Sequence, residues 1–161
     1  MDCTDYIIDE PQPFHKKFFT KKFNHAGLRY GLGVALYSPN IVWASAPHLP
    51  GLKNDITIYR EAGLKLALTS NREMAFADSG YRGERDTIQE KGRGTKNERE
   101  VATRARARHE TVNRRLKEWD CLSVPFRHNN GHDVTNHGIV FDAVLVLTQL
   151  SISINNSVFD L

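Results

Sequence analysis

The chain has 161 residues, 40% hydrophobic and 25% charged, a composition ordinary for a globular protein. That length allows one domain with a real core and is short for two, and neither internal repeats nor low-complexity tracts interrupt it. A net charge of +3, with a pI near 8.9, leans basic without being extreme, so where the charges lie matters more than their sum.

From the amino end, Asp2-Cys3-Thr4-Asp5-Tyr6-Ile7-Ile8 reads as a short strand closed by Pro11 and Pro13. A basic loop carrying Phe14, Phe18, Phe19 and Phe23 follows. Residues 28–37 and 41–46 are predicted strands joined by the turn-forming Ser38-Pro39-Asn40, which makes three antiparallel strands in sequence. Asn54 is predicted to cap a helix over residues 55–68, whose apolar face is Ile56, Tyr59, Leu64 and Leu68 despite Gly63.

Residues 73–77 read as a short buried strand with Asp78 at its carboxyl end, which implies a crossover and a mixed sheet. The Gly-rich, charged stretch 80–95 is predicted as a loop. The longest helix is expected over residues 97–122, with Ala105, His109, Val112, Leu116 and Trp119 on one stripe. Glu110 falls about one hundred degrees round from His109, at the edge of that stripe. A loop at 129–132 and an apolar helix over 134–150 complete the order. The apolar run of this last helix is interrupted by Asp142, Gln149 and Ser151, so it reads as core rather than as a membrane span.

Charge is unevenly placed. His15 to Tyr30 holds five basic residues and no acid, and Lys96 to Lys117 holds eight basic residues against three glutamates. Two basic stretches flanking acids suit a polyanion, although two solvated faces explain the same pattern. Cys3 and Cys121 lack metal-ligand spacing, and the acidic, polar start is not a signal peptide, so a reduced intracellular protein is expected.

Asp2, Asp78 and Glu110 are the candidate functional acids, two on strands and one on a helix. Carboxylates repel one another, and hard divalent cations are the usual reason to gather them, which points to metal-dependent phosphoryl chemistry. The bland alternatives are a terminal acid for Asp2, a turn-initiating role for Asp78 and, for Glu110, an ion-pair ladder with Arg106 and Arg114.

The motifs go further than the spacing. Asp2-Cys3-Thr4-Asp5 followed by Pro11-Gln12-Pro13-Phe14 resembles the opening of the catalytic domain in Harbinger-like DDE transposases, where Asp-Gly-Thr is usual. The same resemblance holds for Leu28-Arg29-Tyr30, for Pro50-Gly51 with Asp55, and for Ala77-Asp78-Ser79-Gly80-Tyr81-Arg82-Gly83. It continues through Arg106-Ala107-Arg108-His109-Glu110-Thr111-Val112-Asn113 with Arg115-Leu116-Lys117, and through Phe126-Arg127-His128, His137, Phe141 and Thr148-Gln149-Leu150. It covers essentially the whole chain, residues 1–161, as a single domain.

The resemblance implies a ribonuclease H-like α/β fold, a mixed sheet with flanking helices, and a DDE endonuclease whose catalytic and metal-binding triad is Asp2, Asp78 and Glu110. It implies two Mg²⁺ or Mn²⁺ ions, about 3.5 to 4 Å apart in such sites, for hydrolysis or strand transfer at DNA phosphodiesters. DNA is then the partner and the nucleus the compartment; a membrane is not expected, and a homo-oligomer is compatible. Cys3 departs from the family glycine, and the upstream DNA-recognition helices are expected to be missing. With only Met1 ahead of it, Asp2 is expected on a fraying end. The second reading is therefore a catalytically silent remnant that binds DNA or protein.

Other residues have simpler explanations. Asp55 suits the start of a helix, and Asp5 is expected on the strand face opposite Asp2 because their separation is odd. His109, His128, His132 and His137 form no zinc pattern with either cysteine, and His109 reads as a packed core histidine. Gly80-Tyr81-Arg82-Gly83 lacks the ending of a P-loop. The phenylalanines between Lys16 and Arg29 either back a DNA contact or tuck the loop onto the core.

Overall fold

The longest strand, β3 (His25–Val34), organises the main sheet. In this computed structural model, which describes residues 1–90, 94–127 and 134–155, β1 (Asp2–Ile7), β2 (Phe19–Thr20) and β4 (Ile41–Ala44) all pair antiparallel with β3. The β1–β3 register sets Asp2 against Leu32, Thr4 against Tyr30 and Tyr6 against Leu28. Strand alternation then sends Thr4 and Tyr6 to one face and Cys3 and Asp5 to the other.

On the first face, Tyr6, Leu28, Tyr30 and Leu32 pack against α3 (Lys96–Lys117) through Val112 and Leu116 and against α5 (Thr135–Asn155) through Phe141, Val144 and Ile152. Burial of each such large side chain contributes about 1.5 to 3 kcal/mol, so this is the main core. Tyr30 stacks on Phe141 with centroids 3.9 Å apart, and its hydroxyl lies 2.7 Å from His137 Nδ1. Judged by length and composition alone, α5 could cross a membrane; here one of its faces is buried in this core.

The second face carries α1 (Asp55–Glu61) and α2 (Leu64–Asn71), which also pack on a two-stranded parallel sheet of β5 (Ala75–Ala77) and β6 (Ile88–Glu90). Tyr59, Leu64, Leu68, Ala77, Tyr81 and Ile88 form its core, and Glu84 ties it together through ion pairs to Arg60 and Lys65. The result is a mixed α/β fold with two sheets and flanking helices.

Several boundaries differ from expectation for identifiable reasons. The helix predicted over 55–68 is two helices, because Gly63 takes φ +86° and ends the first; Asn54 does cap it, accepting from Thr57 N at 3.0 Å. The stretch 80–95 is not all loop, since Ile88–Glu90 pairs with β5. The third strand starts at His25 and stops at Val34, leaving Tyr37 exposed. Thr95 and Glu98 form a capping box that starts α3, which stops at Lys117; a short α4 (Asp120–Ser123) follows, and Trp119 is exposed rather than on the buried stripe. The loop expected at 129–132 lies outside the described residues.

Candidate active site: an acidic cleft

Asp2 is the first residue of β1, and its Oδ1 accepts from Cys3 N at 2.8 Å. It is not frayed. β3 pairs on one side, and on the other the Met1 nitrogen donates to Phe76 O at 2.7 Å, tying β1 to β5.

Asp78 stands just past β5 and caps the 3-10 turn Ser79–Tyr81, with Oδ1 accepting from Gly80 N at 2.8 Å. A Cβ on Gly80 would lie 2.9 Å from that oxygen, so the absence of a side chain there leaves the carboxylate its position. Both aspartates spend Oδ1 on a backbone amide.

Glu110 is exposed on α3, with Arg106 Nε 3.6 Å from its Oε1. Its height along the sheet is set by the preceding residue: His109 Nε2 donates to Leu32 O at 3.0 Å, and Leu32 is the strand partner of Asp2. Asn113 Nδ2 donates to His109 Nδ1 at 3.1 Å, so the ring is the neutral Nε2–H tautomer. Burial holds His109 below its ordinary pKa, helped by the Met1 ammonium and opposed by the Leu32 carbonyl, Asp2 and Glu110.

Asp2, Asp78 and Glu110 line one cleft of about 560 Å³, with Arg106 and His109 beside them. The acids occupy part of its wall, and Leu64, Leu68, Met74 and Ala102 make the rest largely apolar. Among the described residues no three metal-ligating side chains come within reach of a single ion. The donor set is nevertheless of the right kind, all carboxylate oxygen, and Mg²⁺ is commonly held by one or two carboxylates with water and substrate phosphate completing its shell.

The other candidate acids lie behind this cleft. Asp5 faces away from it, as strand parity predicts, and receives Arg29 Nε at 2.7 Å and Nη2 at 2.9 Å, with Thr20 adding a hydroxyl donor. Arg29 Nη1 reaches Asp55 at 2.9 Å. Burial raises the Asp55 pKa against the pull of Arg29, and Asp2, Asp5 and Asp78 push it the same way. Asp55 is thus a helix-start acid held by Arg29, close enough to sense the cleft. Cys3 shares with Asp5 one face of β1; its Sγ lies 3.7 Å from Tyr81 Oη, and burial pushes the thiol pKa up. Both cysteines are free, and Cys121 is exposed.

Sequence reasoning missed Arg29 as the pin between Asp5 and Asp55; Leu28-Arg29-Tyr30 was the available signal, but its partners depend on register. It also missed the apolar part of the cleft, since Met74 lies far in sequence from Ala102. In the basic aromatic loop Phe18 is buried while Phe14 and Phe23 are exposed, so the loop is partly tucked in. Lys96, Arg99 and Arg104, with Glu100 and Thr103 among them, line a shallow concavity on α3, one stripe round from the cleft residues Ala102, Ala105 and Arg106. Comparison with family models, with curated proteins and with solved structures finds no match to this chain.

Proposed function

We propose that the chain is a transposase-derived, divalent-metal-dependent DNA endonuclease with a ribonuclease H-like core. The supporting observation is the shared cleft: acids from the start of β1, the end of β5 and the middle of α3 line one space. The β1–Met1–Phe76 link also supports a strand order β4-β3-β1-β5-β6, which is the ribonuclease H-like order.

A divalent ion held between these carboxylates supplies the Lewis acid for phosphodiester hydrolysis or strand transfer. The chain's own contributions are positional. Asp2 and Asp78 keep Oδ2 for a ligand while Oδ1 is fixed by a backbone amide, and His109 holds Glu110 level with Asp2. The basic stripe of α3 offers phosphate contacts beside the acids.

The test is nicking of supercoiled plasmid with Mg²⁺ or Mn²⁺, alongside thermal shift with each ion. Both ions are expected to raise Tm, because they bind only the folded state, and Asp78→Asn and Glu110→Gln are each expected to cut nicking at least a hundredfold while leaving the fold intact. Unchanged nicking in both variants would refute the assignment. The second reading, a silent DNA- or protein-binding remnant, is favoured by the lack of any three-ligand cluster among the described residues. Retained DNA binding without any metal-dependent shift would select it.

A further inference from the structure

The acidic cleft continues into a gap in the plane of the sheet. β3 runs past Asp2: its partner Leu32 is followed by Gly33, Val34, Ala35 and Leu36, all of which line the gap. Across it stand Met74, Ala75 and Phe76 of β5 and the residue before it. The covers on its two faces are apolar, Ala102 and Ala105 from α3 on one and Leu64 and Leu68 from α2 on the other. A space open to two strand edges and roofed on both faces has the surroundings of a central strand.

Backbone directions agree. Gly31 N donates to Ser45 Oγ, Gly31 O accepts from Ser45 N, and Ala35 N donates to Asn40 O, so these residues turn their amide groups toward β4. Alternation turns Leu32 toward β1 and Val34 toward the gap. On the other bank, Ala75 N donates to Thr87 O on the β6 side, which leaves Phe76 facing β1, where its carbonyl takes the Met1 nitrogen at 2.7 Å. Four residues of β3 give the gap a length of about 13 Å.

We infer that this gap is a seat for an extended, apolar strand: polypeptide joined to the Met1 nitrogen enters it in line with β1, antiparallel to β3 and parallel to β5. The Met1 nitrogen already makes the bond to Phe76 that a peptide N–H at that place makes, and the next residue outward stands opposite Val34. Seating that strand flanks Asp2 with ladder bonds on both sides. The seat belongs to the flanking strands and does not depend on the nuclease reading.

The experiment fuses about five valine, isoleucine and alanine residues ahead of Met1, the length that spans the gap, and compares a glycine–serine–glutamate fusion of equal length. The apolar fusion is expected to raise Tm by about 5 °C over the polar one and to slow amide exchange at Val34 and Phe76 at least tenfold. A fusion of about two residues, too short to promote aggregation, still reaches Val34 and is expected to protect that amide. Equal Tm values together with unchanged exchange at Val34 and Phe76 would overturn the inference. Equal protection by the same segment added as a free peptide would assign the seat to a separate chain and overturn the in-line entry.

Discussion

Arg29 stands directly opposite Asp5 in the β1–β3 register and spends its remaining nitrogen on Asp55. The Asp5 side chain is only 2% exposed, so removing it strands a guanidinium in a place built for a pair. Asp5→Ala is therefore expected to cost about 3 kcal/mol, read as a lower urea midpoint with an unchanged denaturant slope. The parity of Asp5 was readable from the sequence, because odd separations alternate along a strand; its partner was not, because pairing depends on a register that only the folded sheet defines. His109 illustrates the same split. Its place on the apolar stripe was legible, its bond to Leu32 O was not. Burial lowers its pKa from the ordinary 6.5, so the unfolded chain binds more protons as pH falls below that value, and the stability present above it is progressively lost. His109→Gln is expected to flatten the loss of stability between about pH 6.5 and 5, measured by urea unfolding across that range. Equal slopes in the two proteins would contradict the assignment.

At the scale of elements, α3 presents two different stripes. Ala102, Ala105, Arg106 and His109 face the cleft, while Lys96, Arg99 and Arg104 stand beside it in solvent. Arg99→Glu combined with Arg104→Glu is expected to weaken binding of duplex DNA and to reduce the slope of log affinity against log salt by about one per lost phosphate contact, with circular dichroism unchanged. An unaltered salt slope would mean that this stripe is merely solvated. The period of α3 was visible because its buried positions recur at helical spacing. Its end was not, since Trp119 continues the pattern in sequence while the backbone turns out at that residue. β6 was missed for a different reason: Ile88-Gln89-Glu90 is too short and too polar to show a period, and only its parallel pairing with β5 makes it a strand.

For the molecule as a whole, the Met1 nitrogen on Phe76 O and Cys3 Sγ beside Tyr81 Oη join the two sheets, and the cleft opens beside the first of these contacts. That junction brings Asp2 and Asp78 to one wall and the His109–Leu32 bond sets Glu110 beside them, although no local pattern in the sequence joins the three. The order of elements was largely legible because strands and helices announce themselves by composition and turn residues. The relative placement of the layers was not, because it rests on side chains such as Phe141 and Tyr59 whose partners lie far along the chain.

The environment of Cys3 also has a practical side. With its thiol kept protonated under Tyr81 and Cys121 open to solvent, the chain offers one chemically addressable sulfur, so a maleimide dye reports from the short helix α4 without touching the strand that bears Asp2.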